Sequence, residues 1–307
     1  MAANNKYKPV ITADNLGKGD FQTLARAISL IENSEPGVEE LLKSIENKPV
    51  HVIGFTGPPG AGKSTLVDAL IKHFIQDNKK VAILCVDPSS SFHSGALLGD
   101  RIRMNRWYDN ASVFIRSLSS RGSVGGLNPR IFPITDLLAH AGFDYILIET
   151  VGVGQTEVDI TRLAELVVLV LVPESGDDIQ TMKSGIMEIG DIFVVNKSDR
   201  PGAELFMTSL KSSVHYQTSR PIEELCFVQT TATTGKGVDE LYKAIQESIN
   251  GLSPDRSMDL LIQKAWQLIS TYRMRDINQK DLASSIEKAR QEPNFNIYQF
   301  AESRAEK

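Results

Sequence analysis

His51-Val-Ile-Gly-Phe-Thr-Gly-Pro-Pro-Gly-Ala-Gly-Lys-Ser-Thr-Leu66 is an apolar run that breaks into a glycine-rich loop and continues as a helical pattern. Gly57 to Ser64 fits G-x-x-x-x-G-K-[ST]. In such a loop the glycines let successive backbone N–H groups turn inward on a phosphate, and the helix that follows adds the positive end of its dipole. The candidate phosphate-binding residues are therefore Gly57, Pro58, Pro59, Gly60, Ala61, Gly62, Lys63, Ser64 and Thr65. Lys63 is expected to reach the β- and γ-phosphates, and the Ser64 hydroxyl to ligate the Mg2+ that bridges them. The competing reading is an ordinary glycine-rich strand-to-helix turn.

Working outward, strand-like apolar runs alternate with helical ones from Val50 onward. The strands are expected at 51–56, 80–86, 144–149, 166–172, 191–195 and 225–230, and the helices at 64–77, 130–141, 177–189, 203–214 and 236–249. Continuous apolar strands with intervening helices predict an α/β fold of the P-loop NTPase kind, a doubly wound, mostly parallel sheet with helices on both faces. Residues 20–46 read as a helical pair broken at Pro36-Gly37, and residues after Gly251 read as helices only. The expected organisation is a helical extension over 1–48, a nucleotide-binding domain over 49–250 and a helical arm over 251–307.

Strand 144–149 ends in Glu149-Thr-Val-Gly152, where many nucleotide switches have an Asp that meets Mg2+ through water and, three residues later, a Gly whose N–H meets the γ-phosphate; here the acid is Glu, one methylene longer. Gln155, in the continuing loop, is one group that could orient a water. Asn196-Lys197-Ser198-Asp199 follows another strand, and an aspartate there can accept two hydrogen bonds from guanine N1–H and its 2-amino group, which adenine does not offer. Thr231-Ala232-Thr233 sits where a backbone N–H would meet the guanine carbonyl. Asp87, closing strand 80–86, and Asp100, in Leu98-Gly-Asp-Arg101, could each reach Mg2+ or its waters, or serve as capping or turn residues. His93 in the same stretch reads as a solvated loop histidine. The glycine-rich Ser119–Gly126 stretch lacks a Lys-Ser end and reads as a surface or partner loop.

Composition bounds the partners. A net charge of −5 gives no bulk attraction to nucleic acid or an anionic membrane, so neither is expected as a partner and a phosphate must be held locally. Cys85 and Cys226 lie in separate apolar runs, which argues against both a disulfide framework and a thiolate metal site. No apolar run approaches the ~20 residues of a membrane span. The expected location is the cytoplasm, or an organelle matrix for a processed form.

Gly57-Pro-Pro-Gly-Ala-Gly-Lys-Ser, Val86-Asp-Pro-Ser-Ser, Leu98-Gly-Asp-Arg, Glu149-Thr-Val-Gly-Val-Gly-Gln and Asn196-Lys-Ser-Asp together closely resemble the MeaB/ArgK family, over nearly the whole chain. The resemblance implies a GTPase that uses GTP/GDP and Mg2+ and acts as a chaperone of an adenosylcobalamin-dependent acyl-CoA mutase, gating its cofactor loading and protecting or reactivating it. It also implies a homodimer formed through helical extensions. Asp87, Asp100 and Glu149 would surround Mg2+, and Asp177–Lys183 would be a third switch that communicates with the mutase. The run Pro173–Met182 also resembles the G-domain of fused isobutyryl-CoA mutases, so the client could be a methylmalonyl-CoA or an isobutyryl-CoA mutase. The chain has no D-x-H-x-x-G cobalamin-binding signature, so it is not expected to be the mutase itself. Two alternatives are a nickel-insertion GTPase, which needs a Cys/His cluster that the scattered histidines do not supply, and a kinase of an arginine/ornithine transport system, whose ATP requirement Asp199 opposes.

Overall fold

The computed structural model describes residues 11–16, 20–46, 48–87, 104–119, 130–150, 159–173, 186–218, 221, 225–274, 277, 279–291 and 294–305. Within them lie seven strands: His51–Thr56 (β1), Val81–Asp87 (β2), Val113–Ser119 (β3), Tyr145–Glu149 (β4), Leu166–Leu171 (β5), Ile192–Val195 (β6) and Cys226–Gln229 (β7). They form one sheet in the order β3-β2-β4-β1-β5-β6-β7, parallel at every pairing. The chain winds to one side of β1 through β2, β3 and β4, then to the other through β5, β6 and β7. The carboxyl end of β1 therefore lies at the point where the winding reverses, which is where open α/β sheets bind ligands.

Strand residues alternate between two buried faces. Ile53, Phe55, Val168 and Val170 pack with Lys63–Gln76 (α4) through Leu66, Leu70, Ile71 and Phe74, and with Val238–Asn250 (α7) through Leu241 and Ile245. Phe74 is fully buried, and burial of a side chain this size contributes about 1.5–3 kcal/mol. On the opposite face, Val52, Ala82, Leu84, Ile146 and Val167 pack with Ile131–His140 (α5) and with Phe21–Asn33 (α2), whose Leu24, Ala27, Ile28 and Ile31 recur at helical spacing. Ala13–Leu16 (α1) and Val38–Ser44 (α3) add Leu16 and Leu41 to this cluster. Next to it, Leu169, Leu171, Phe193 and Val195 cover Ala203–Gln217 (α6).

Several local signals account for element ends. Asp20 caps α2, accepting from the Gln22 N–H at 3.0 Å and from the Thr23 hydroxyl. The Thr23 bond, followed by that from Gln22, holds the Asp20 carboxyl below its usual range. β3 was not expected from the sequence. It places Val113 and Ile115 on one face and Phe114 and Leu118 on the other, but Arg116 and Ser117 interrupt the continuous run that marks the inner strands. The helix expected at 177–189 falls largely outside the described residues, and Ile186–Glu188 form a turn.

Residues 1–260 form one compact unit and 261–307 a second. The helix Pro254–Arg273 (α8) begins in the first, where Arg256 makes two hydrogen bonds to the buried Asp191 carboxylate, at 2.9 and 2.8 Å. The second unit contains Gln279–Ala289 (α9) and Ile297–Ala305 (α10). Among the described residues no helix is long and apolar enough to cross a membrane.

Candidate nucleotide site

The loop between β1 and α4 is shaped by close backbone approaches. Gly57 has φ 134, and a Cβ there would stand 2.0 Å from the Val170 carbonyl oxygen, so only glycine fits. Gly62, with φ 88, forms the N-cap of α4 and offers no side-chain cap. The first amides of α4 have no intrahelical carbonyl to bond and carry the positive end of the helix dipole, which makes this terminus a seat for an anion. Lys63, buried at the start of the helix, folds back so that Nζ donates to the carbonyls of Gly57 at 2.8 Å and Pro58 at 3.0 Å. Its ammonium thus lies against the same loop.

Glu149 reaches this point through sheet register. Phe55 pairs with Glu149 between β1 and β4, both at the carboxyl ends of their strands, and the Ser64 hydroxyl donates to Glu149 Oε1 at 2.6 Å. Both side chains are buried. Thr150, the next residue, donates its N–H to the Phe55 carbonyl at 3.0 Å and its hydroxyl to Thr56 Oγ1 at 3.0 Å, which ties the exit of β4 to the exit of β1. A buried hydroxyl against a carboxylate, beside a helix N-terminus and an ammonium, is an oxygen-donor set that suits a hard cation such as Mg2+ held with a phosphate.

A second group of loops approaches from β6 and β7. Asn196 follows β6 and is 2% exposed. Its Nδ2 donates to the Ala61 carbonyl at 2.8 Å, while its Oδ1 accepts from the Thr230 hydroxyl at 3.0 Å and the Ala232 N–H at 3.1 Å. A Cβ on Gly62 would meet the same Nδ2 at 2.4 Å. One side chain therefore locks the phosphate loop to both loops at the β6–β7 edge. Lys197 turns the chain with φ 55, Ser198 N–H donates to the Thr230 carbonyl at 3.0 Å, and Asp199 follows, exposed. In the opposing loop the Thr231 N–H is taken by the Lys236 carbonyl at 2.9 Å and the Ala232 N–H by Asn196, while Thr233 is exposed.

Residues 24–285 match the family described as methylmalonyl Co-A mutase-associated GTPase MeaB. The chain belongs to the MeaB family. A Pyrococcus horikoshii protein that carries a GTPase name without further assignment is 46% identical over 244 residues, which cover 76% of this chain and 75% of that one. The fused isobutyryl-CoA mutase of Geobacillus kaustophilus is 35% identical over 255 residues, 77% of this chain but 23% of its own length. A crystal structure of an LAO/AO transport system kinase matches with a TM-score of 0.67 at 25% identity, covering 95% of this chain and 89% of that one.

For this MeaB-family chain, then, the structure brings together Gly57–Thr65, Glu149, Asn196–Asp199 and Thr231–Thr233 along the carboxyl edge of the sheet. Asp87 ends β2 on that edge, two residues past the Cys85–Glu149 register pair, and its side chain lies outside the described residues. Asp100, Gly152, Gln155, His93 and Asp177–Lys183 also lie outside them. The four histidines that are described take separate partners: His51 meets Glu165, His73 meets Asp239, His140 meets the Glu46 N–H, and His215 lies edge-on to Tyr216. The bridging role of Asn196 was not legible in the sequence, because its partners Ala61, Thr230 and Ala232 stand 135, 34 and 36 residues away.

Proposed function

We propose that this chain binds GTP with Mg2+, hydrolyses it to GDP and phosphate, and uses that cycle to chaperone an adenosylcobalamin-dependent acyl-CoA mutase. The observation that carries the first part is the 2.6 Å contact between Ser64 and Glu149 at the uncapped N-terminus of α4. In this reading Lys63 exchanges its bonds to Gly57 and Pro58 for bonds to the β- and γ-phosphates. Ser64 would hold the cation, with Glu149 acting through water and Asp87 and Asp100 as the further acidic groups. When bound, Mg2+ supplies charge neutralisation on the phosphoryl oxygens. Asp199 selects guanine through its N1–H and amino group, Thr231–Thr233 approach the guanine carbonyl, Gly152 meets the γ-phosphate and Gln155 orients the attacking water.

The mutase part rests on kinship: the family description names a methylmalonyl Co-A mutase, and the Geobacillus relative is a fused isobutyryl-CoA mutase. A second copy of this chain, paired through the helical arm, belongs to the same reading, as does a cytoplasmic location. The kinase name of the LAO/AO structure favours a different outcome, phosphoryl transfer from ATP to a protein.

The deciding experiment measures GTP and ATP turnover by the purified protein with and without Mg2+, beside Lys63→Ala. Mg2+-dependent release of phosphate from GTP, lost in the variant with the fold intact, is the expected result; preference for ATP would support the kinase instead. With a purified candidate mutase, exchanging GDP for a GTP analogue should change mutase affinity by the same factor by which the mutase changes the preference for that analogue over GDP, roughly 5- to 150-fold for a coupling of ~1–3 kcal/mol. A mutase whose affinity ignores the nucleotide is not the client.

A further inference from the structure

Beyond Asn196, a second side chain joins the turn after β6 to the loop after β7. Ser198 N–H donates to the Thr230 carbonyl at 3.0 Å, and Ser198 Oγ lies 3.1 Å from Thr231 Oγ1, so one hydroxyl donates to the other. Thr231 is the fixed member of this pair. It is 4% exposed, and its N–H donates to the Lys236 carbonyl at 2.9 Å. Its own carbonyl accepts from the N–H groups of Thr234 and Gly235, each at 3.0 Å, and from the Thr234 hydroxyl at 3.1 Å. The turn that carries Ser198 is less secure by itself. Lys197 holds φ 55, a left-handed conformation that side-chain-bearing residues adopt at a cost and keep only where their surroundings hold them. Arg200 N–H closes the turn on the Lys197 carbonyl at 3.0 Å, and Asp199 lies within it, exposed.

The two members of this pair stand beside the groups expected at different points of one base edge. Asp199 follows Ser198 directly, and Thr231 opens the loop expected to meet the guanine carbonyl. Both donors of guanine must reach one carboxylate while its carbonyl reaches the other loop, and hydrogen bonds weaken steeply as their angles leave the line. The separation of the two loops therefore decides how well the base is read. Asn196 also sets that separation, but it reaches the phosphate loop through Ala61 as well. The Ser198–Thr231 bond joins the two base loops alone. We infer that Ser198 is a positioning residue for base selection: by pairing with the fixed Thr231 hydroxyl it holds the strained turn, and so keeps the Asp199 carboxylate at the spacing from the Thr231–Thr233 loop that guanine requires. This rests on the GTP reading above. The 2-amino group lies at the far end of the base edge from the carbonyl, so an error in that spacing falls on it most. Hypoxanthine lacks this group, and a displaced Asp199 therefore penalises GDP more than IDP.

The test measures GDP and IDP affinity of the full-length protein side by side, since the two share ribose and phosphates and differ only in the 2-amino group. Ser198→Ala should lower the GDP-to-IDP affinity ratio by about two- to twelvefold, the range of one net hydrogen bond. Ser198→Thr, which keeps the hydroxyl, should hold the native ratio. Thr231→Val removes the other hydroxyl at nearly constant shape and should lower the ratio by a similar factor. Adding Ser198→Ala to it should lower the ratio no further, because the two residues act as one pair. An unchanged ratio in Ser198→Ala overturns the inference, and so does an equal loss for both nucleotides, which would mean general damage to the site. Additive losses in the double variant overturn it as well, as does a ratio in Ser198→Thr as low as that of Ser198→Ala. A native protein that binds no guanine nucleotide removes the GTP reading and this inference with it, whereas the other failures remove the inference alone.

Discussion

At the scale of single residues, the site divides into groups expected to touch the nucleotide and groups that hold those in place. Asp199 belongs to the first. It is exposed at the end of the turn that Lys197 makes, where its carboxylate can be shared by two donors on one edge of a base. Asp199→Asn exchanges an acceptor for a group that can also donate, which suits the second carbonyl of xanthine and leaves the guanine amino group without its partner. Losing charge-assisted bonds should lower GTP affinity several-fold or more and move preference toward XTP; equal GTP affinity in a competition assay would remove Asp199 from the base site. Asn196 belongs to the second group, with three bonds that join three loops. Asn196→Ala leaves a buried carbonyl, a hydroxyl and an N–H to find other partners, at a cost of about 1–3 kcal/mol each where none is found. Thermal unfolding should therefore fall in midpoint, and GTP binding should weaken although the variant keeps every phosphate-loop residue. The contrast explains what sequence could reveal here. The glycines of Gly57–Ser64 and the Lys63-Ser64 end fall at fixed spacings that a short pattern records, and Glu149 announces itself by ending a strand. Asn196 works through contacts that exist only once β6, β7 and the phosphate loop are folded together.

Elements make the same division visible in the fold. Strands buried on both faces, such as Leu166–Leu171, are unbroken apolar runs, and their expected limits fall within a residue or two of the observed ones. β3 escaped because an edge strand tolerates Arg116, which turns its guanidinium to Ser29 and Glu32 of α2 at 3.0 and 2.7 Å. That partnership with a helix some 85 residues earlier is not written in any local period. The contact between α4 and α7 supplies a prediction at this scale. Tyr242 of α7 stacks near His73, crosses Phe74 edge-on, and donates its hydroxyl to Asp77 at the end of α4 at 2.7 Å. Burial, then the Asp77 hydrogen bond and charge, and last Tyr145, push its ionisation well above the usual tyrosine range. The folded state thus keeps a proton that the unfolded chain gives up near pH ~10. Its contribution to stability is complete below that pH and is lost as pH rises toward the folded-state value. Urea unfolding of the native protein should show stability declining between about pH 9.5 and 11, and Tyr242→Phe should lower stability at neutral pH while flattening that decline. Parallel pH slopes for the two proteins would mean that Tyr242 ionises freely.

At the scale of the whole molecule, the described part of the first unit is built around a sheet covered on both faces, whereas the second unit leaves apolar helix residues exposed. The sheet is covered on both faces by α1–α7, and α8 is fixed at its first turn by the pair between Arg256 and buried Asp191. Beyond that turn α8 exposes Ile262, Trp266 and Ile269 at steps of four and three residues, with Trp266 75% exposed. A continuous apolar stripe on a twenty-residue helix is seldom left in water on a soluble chain, and a tryptophan at its centre is the residue type that most often carries binding energy at an interface. A second copy of the same helix is the simplest partner, because a stripe pairing with itself about a two-fold axis closes after two chains and leaves no further edge. The full-length protein is expected to sediment as a dimer at micromolar concentration. Ile262→Asp with Trp266→Ala should make it monomeric, since truncating one central aromatic costs about 2–4 kcal/mol per copy and a carboxylate on the stripe adds a desolvation penalty. Both substitutions lie beyond Arg256, so the anchor of α8 and the nucleotide site should survive, and GTP affinity should stay at its native value. A native chain that already sediments as a monomer would remove the arm from any role in self-association. A double variant that becomes monomeric and also loses GTP binding would instead mean that α8 supports the fold of the first unit and not its pairing.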